Sequence, residues 1–128
     1  MEPRFFELGE ILEIHRDQIE RYGGAEGIRD LGLLQSAVGM PKATMGGAFL
    51  HLDLFELAAA YLYHLVCNHP FVDGNKRTGT AAALVFLELH GVVLEVDDDE
   101  LAEMVEAVAA GNLAKAAVTE FLRAHVRE

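Results

Sequence analysis

The sequence predicts an all-α fold: a compact bundle of six or so helices with one short flap. Three observations carry this. Apolar residues recur at spacings of three and four along most of the chain. Glycine and proline fall mostly between the periodic stretches. Two consecutive segments, Leu54 to about Asn68 and Asn75 to His90, are apolar on most faces, which puts them at the centre with the other helices around them.

The elements follow in order. Leu8, Ile11, Leu12, His15, Ile19 and Tyr22 make one apolar stripe, and Gly23-Gly24 ends that helix. Asp30 caps a second helix through about Val38, with Pro41 beyond its end. Met40 to Leu52 has no helical period, and Gly46-Gly47 marks a turn, so a short hairpin or flap is expected there. Asp53 opens the first central helix, with Glu56 as its capping-box partner and a Leu52–Leu57 staple. The second central helix closes at Gly91. Val92 to Val96 is a short extended link. Asp97, Glu100, Val96 and Leu101 repeat the cap-and-staple pattern and open a helix to about Ala110. The acidic run Glu95 to Glu100 is read as complementing that helix's dipole rather than as a metal site. Gly111 breaks the helix, and a last one runs from about Leu113 to Val126.

With 128 residues and no internal repeat or linker, the chain is expected to form a single domain, residues 1–128. It is 52% hydrophobic, enough for a real core. Cys67, alone in an apolar run, is expected to be a buried small hydrophobe. Glu2, Glu7 and Glu10 come too early for a signal peptide, and the apolar runs are too short or punctuated to span a bilayer. A soluble, cytoplasmic protein with no membrane association is expected. The net charge of −11 argues against direct nucleic-acid binding and suits a basic partner.

The exception to the apolar centre is the junction Asn68 to Thr80, NHPFVDGNKRTGT. Pro70 disfavours helix at His69, so the first central helix ends there and the second begins near Gly74. The polar cluster therefore sits on a tight loop leading into a helix N-terminus, whose free N–H groups and partial positive charge suit an anion. Lys76 and Arg77 stand at the wrong end of a helix for cations unless an anion, such as a triphosphate, fills the gap. Asp73 would clash with phosphates unless Mg²⁺ lay between them. His69 suits the role of proton acceptor from a hydroxyl. Each residue alone has a bland reading, as a cap or a solvated charge; the set within nine positions points to phosphate chemistry. No P-loop and no dinucleotide-fold glycine motif is present.

This loop resembles the Fic/Doc signature His-Pro-Phe-x-Asp/Glu-Gly-Asn-Gly/Lys-Arg, here His69-Pro70-Phe71-Val72-Asp73-Gly74-Asn75-Lys76-Arg77. The stretches IHRDQIERYGG and IRDLGLLQSA look like the death-on-curing (Doc) toxin branch, and the resemblance covers nearly the whole chain. It implies an ATP-dependent kinase toxin with Mg²⁺, phosphorylating a protein hydroxyl, with a threonine of elongation factor Tu as the implied target, and controlled by a cognate antitoxin. It implies His69 as general base and Asp73 as the Mg²⁺ ligand. Gly74 and Asn75 would form the anion hole, and Lys76 and Arg77 would hold other phosphates of ATP. Lys42 to Phe49 would be the flap that aligns the target chain.

Two departures from the AMP-transferring members decide the expected subtype: Lys76 where many have Gly, and Thr80 where they have a second Arg. Gly74, where the phage toxin has Ala, points the other way. The alternatives are therefore a Fic-type AMP transferase and a non-catalytic nucleotide-binding module. No Ser or Thr has Glu four residues later, so the family's internal inhibitory motif is missing from the sequence. His64 and His69, five apart, are poorly spaced for shared metal ligation. His15 is read as a hydrogen-bonded, partly buried residue, and Tyr61 and Tyr63 as core or lid residues. His64, His90 and His125 read as structural or solvated, and His51 as structural with substrate contact the alternative.

Overall fold

In the computed structural model, which describes residues 2–128, the expected all-α architecture is present. The helices are α1 (Leu8–Tyr22), α2 (Leu31–Gly39), α3 (Leu54–Asn68), α4 (Asn75–Leu89), α5 (Asp98–Ala109) and α6 (Lys115–Ala124). α2 ends at Gly39 and Pro41 lies beyond it, as expected, in a following 3₁₀ turn, Met40–Lys42. Proline suits the start of such a turn because its missing N–H has no helical partner there anyway.

α3 is the centre. Leu57 to Leu62, Leu65 and Val66 are all buried. α4 lies directly against it. A Cβ on Gly79 would stand 2.9 Å from the Val66 side chain and 3.1 Å from the Leu62 carbonyl. That close approach explains a glycine in a helix interior, where it otherwise costs about 1 kcal/mol. Phe6 from the N-terminal segment packs edge-on to Tyr61 and Phe86, and its N–H donates to the Tyr61 hydroxyl at 2.8 Å. Tyr61 is thus a core residue, and burial pushes its hydroxyl up to about 12.

The aspartate caps match the sequence expectations, but the reciprocal capping-box bond from Glu56 does not form. Asp30, Asp53 and Asp97 each accept from the backbone N–H three residues on. Asp98, Asp99 and Glu100 fill the first turn of α5. The staple before α3 does not hold: Leu52 is 74% exposed. Asp53 instead pairs across the fold with Arg123 of α6 at 2.8 Å. Cys67 is also corrected. It is exposed, because the last turn of α3 leaves the core on its way to the junction loop.

The flap is a minimal hairpin. β1 (Thr44–Met45) pairs antiparallel with β2 (Ala48–Phe49), and Gly46 and Gly47 both take positive φ at the turn. The 92–96 link is extended: Leu94 bridges Val126, and Glu95 N–H donates to the His125 carbonyl, so the tail after α6 is tied back. The last helix is shorter at both ends than its apolar pattern suggests. No described helix is long and apolar enough to cross a membrane.

Just beyond the flap, His51 is buried, and His64 of α3 accepts from Lys115 of α6 at 3.1 Å. Burial, and then the Lys115 charge, lower both rings, His64 to about 4. Near neutrality the His64 ring is mostly uncharged whether the chain is folded or not. As pH falls from about 6.5 towards 4, the unfolded chain takes up a proton that the folded chain refuses, so stability falls; below about 4 the loss is complete. His64→Gln keeps an acceptor for Lys115 and removes the titration. Urea midpoints of the two chains are expected to diverge on acidification, with wild type losing roughly 3 kcal/mol more. Parallel midpoints across that range would refute the assignment.

Candidate active site

The junction loop begins where α3 stops. His69 is the one described non-glycine residue with positive φ, at φ 48 and ψ 53. Two contacts hold it there. Arg29 donates from Nε to the His69 carbonyl at 2.6 Å and from Nη2 to the Asn68 carbonyl at 3.0 Å, a cation on the carbonyl end of α3. The Arg29 and Asp30 amides both donate to the Pro70 carbonyl, and Val72 N–H donates to Gly27. The connection between α1 and α2 therefore runs alongside the loop and braces it, with Ile28 bridging Phe71.

Phe71 anchors the loop in the core, and His15 of α1 lies beneath it. The two rings stack with centroids 3.8 Å apart and planes 6° apart. His15 Nε2–H donates to the Asp73 carbonyl at 2.8 Å. The sequence placed His15 on the apolar stripe as a hydrogen-bonded residue; only the fold reveals that its partner is the loop. His15→Phe keeps an aromatic ring on Phe71 and removes the donor. It is expected to cost about 1–3 kcal/mol by urea unfolding, and His15→Gln, which restores a donor, to recover part of it. A His15→Phe chain as stable as wild type, with the loss confined to His15→Gln, would place the contribution in packing alone.

The second half of the loop leads into the N-terminus of α4. Gly74 takes φ +78 and stands at the start of α4, which has no side-chain cap. The first-turn N–H groups of α4 thus face outward for an anion. The Asp73 carboxylate sits beside them, accepting from Gly74 N–H at 2.8 Å and Ala25 N–H at 3.2 Å. Those amides, Ala25 first, with Arg77 and His15 behind them, hold the carboxyl below its ordinary range. It is therefore charged at neutral pH and open to a cation. Gly24 lies against both charges: a Cβ there would come 2.6 Å from Asp73 Oδ2 and 3.1 Å from Arg77 Nη2. Only glycine fits at that point, and its φ of +119 favours glycine as well.

The Asn75 side chain points back into the loop. Its Oδ1 accepts from Phe71 N–H at 2.9 Å, and its Nδ2 donates to the Phe71 carbonyl at 3.0 Å and to His69 Nδ1 at 3.1 Å. Arg77 Nη2 donates to the Gly23 carbonyl at 2.9 Å, with its guanidinium 5.9 Å from the centre of the Tyr22 ring. Lys76 turns away and pairs with Glu106 of α5. Both partners of that pair are more than half exposed, so it contributes little and yields readily to a stronger anion. Thr80 donates to the Lys76 carbonyl within the helix and offers no cation.

His69, Asp73, Gly74, Asn75 and Arg77 thus converge on one loop and one helix start, while the Lys76 ammonium reaches away across a cleft to Glu106. The cleft, about 750 Å³, runs between α1, α4 and α5, with Lys76 and Arg77 on one wall and Leu101 and Val105 on the other. Nothing in the local pattern pointed to Arg29, whose role depends on a loop forty residues away. Gly24 carried a weak signal as part of a double glycine.

A sequence model of the Fic/DOC family matches residues 5–87. "Toxin Doc" of Mycolicibacterium smegmatis is 49% identical over 78 residues, which cover 61% of this chain and 60% of that one. "Protein kinase doc" of Escherichia phage P1 is 36% identical over 114 residues, 89% of each chain. The chain thus spans about 60% of the length of the first of these relatives and most of the second.

Proposed function

The chain belongs to the Fic/DOC family, and from that membership we propose that it is the toxin of a toxin–antitoxin pair, an ATP-dependent kinase that phosphorylates a protein hydroxyl. The observation that carries this is the junction loop: a histidine, a charged carboxylate and an uncapped helix N-terminus within seven residues. In this reading His69 takes the proton of the target hydroxyl. The first-turn amides of α4, with Gly74 and the Asn75 side chain, hold one phosphate of ATP; Arg77 and Lys76 hold others, Lys76 leaving Glu106 to do so.

Asp73 suits Mg²⁺. Among the described residues no three metal-ligating side chains cluster, and Mg²⁺ is commonly held by one or two carboxylates together with substrate phosphates and water. Bound beside Asp73, it would neutralise phosphate charge that the carboxylate otherwise repels.

The target we favour is a threonine of elongation factor Tu, with arrest of translation as the outcome. The name of the phage relative supports kinase chemistry, and Lys76 with Thr80 supports that branch. A basic segment of the cognate antitoxin suits the acidic surface, whose net charge is −11. Gly74 favours a second reading, transfer of AMP, because glycine occupies this position in the AMP-transferring pattern.

The two are separated by incubating the chain with Mg²⁺, elongation factor Tu and ATP labelled at the α- or the γ-phosphate. The mass of a phosphate, with γ-label, supports the kinase. The mass of an AMP, with α-label, replaces it with the transferase. Nucleotide binding without label on any protein substrate would leave a binding module.

A further inference from the structure

The orientation of the Asn75 amide is fixed by its neighbours. Phe71 presents an N–H to Oδ1 and a carbonyl to Nδ2, at 2.9 and 3.0 Å. Turning the amide over would set donor against donor and acceptor against acceptor. Asn75 is only 4% exposed, so water cannot readily repair that loss. The remaining hydrogen of Nδ2 faces Nδ1 of His69 at 3.1 Å. An amide nitrogen has no acceptor capacity. Nδ1 must therefore be the acceptor, and the neutral ring carries its hydrogen on Nε2.

That tautomer is wrong for a base acting through Nε2. Its one lone pair is committed to Asn75, and Nε2 already holds a hydrogen. We propose that Asn75 is a positioning residue for His69: in the resting chain it holds the ring with the hydrogen on Nε2, and an anion at the start of α4 competes for the same amide hydrogen and releases Nδ1. This rests on the reading of His69 as base and Asn75 as phosphate contact. The change balances through solvent. Nε2–H gives its proton to water, Nδ1 takes one from water, and the ring stays neutral. His69 is exposed, so water reaches it. Nε2 then has a free lone pair for the target hydroxyl. The base becomes competent only when the phosphate donor is in place.

The test reads the ring and needs no turnover. The full chain, labelled with ¹⁵N in histidine, is observed by long-range ¹H–¹⁵N correlation at about pH 8, above the ordinary histidine range. A His69→Gln chain identifies the His69 signals. The free chain is expected to show hydrogen on Nε2, and saturating inorganic triphosphate with Mg²⁺ to move it to Nδ1. Asn75→Asp, which sets a carboxylate acceptor opposite Nδ1, is expected to show Nδ1–H with nothing added. Hydrogen on Nδ1 in the free wild type, or no change once other loop signals show saturation, overturns the proposal. If Asn75→Asp fails to fold, those two wild-type measurements decide. A negative transfer assay beside a positive tautomer change would fault the kinase reading alone.

Discussion

His69→Ala is expected to lower phosphate transfer by about 10²–10⁴-fold, the usual contribution of a positioned general base. Affinity for ATP and Mg²⁺ should stay within about threefold, because on this reading the nucleotide is held by α4 and Arg77. The fold should survive. His69 is exposed, and its backbone bonds to Arg29 come from its carbonyl, not its ring. Single-turnover transfer measured beside calorimetric titration of the nucleotide separates the two effects. Transfer at the wild-type rate would remove His69 from the chemistry. Lost transfer together with lost nucleotide binding would recast it as a binding residue.

Asp73→Asn should have the next largest effect. The substitution keeps the size and one acceptor oxygen but removes the charge. If Mg²⁺ is held there, several kcal/mol of charge stabilisation go with it, and transfer should fall by roughly 10²–10³-fold. The Mg²⁺ concentration giving half-maximal rate should rise as well. The resting contacts to Ala25 and Gly74 amides weaken in the same variant, so some local loosening accompanies the loss. The discriminating quantity is the Mg²⁺ dependence: an unchanged half-maximal concentration, whatever the rate, would mean that Asp73 shapes the loop without touching the metal.

Much of this site was legible before any coordinates. Its residues are contiguous, and their setting is local: Pro70 ends one helix, Gly74 starts another, and polar groups between two apolar segments need a reason to be there. The caps at Asp30, Asp53 and Asp97 were legible for the same reason, since each bond spans three residues. The errors came where a side chain's surroundings lie far off in sequence. Leu52 looked like a staple and is exposed. Cys67 looked buried and is exposed, although it follows the apolar run of α3 directly.

Local chemistry therefore determined the helix starts, the loop, the flap turn and the residue types at the start of α4, because hydrogen-bond and dihedral preferences act over a few residues. Tertiary structure alone decided how that loop is held. His15 lies 58 residues from the carbonyl it binds, Arg29 braces the end of α3 from 40 residues away, and Gly24 makes room for two charges of α4 and its loop. It also turned Lys76 towards Glu106, 30 residues on, instead of towards the junction loop. A sequence specifies which groups can bond; which of them meet depends on how α1 and α5 pack around the α3–α4 core, and that packing is driven by burial, which carries no record of the polar partners it brings together.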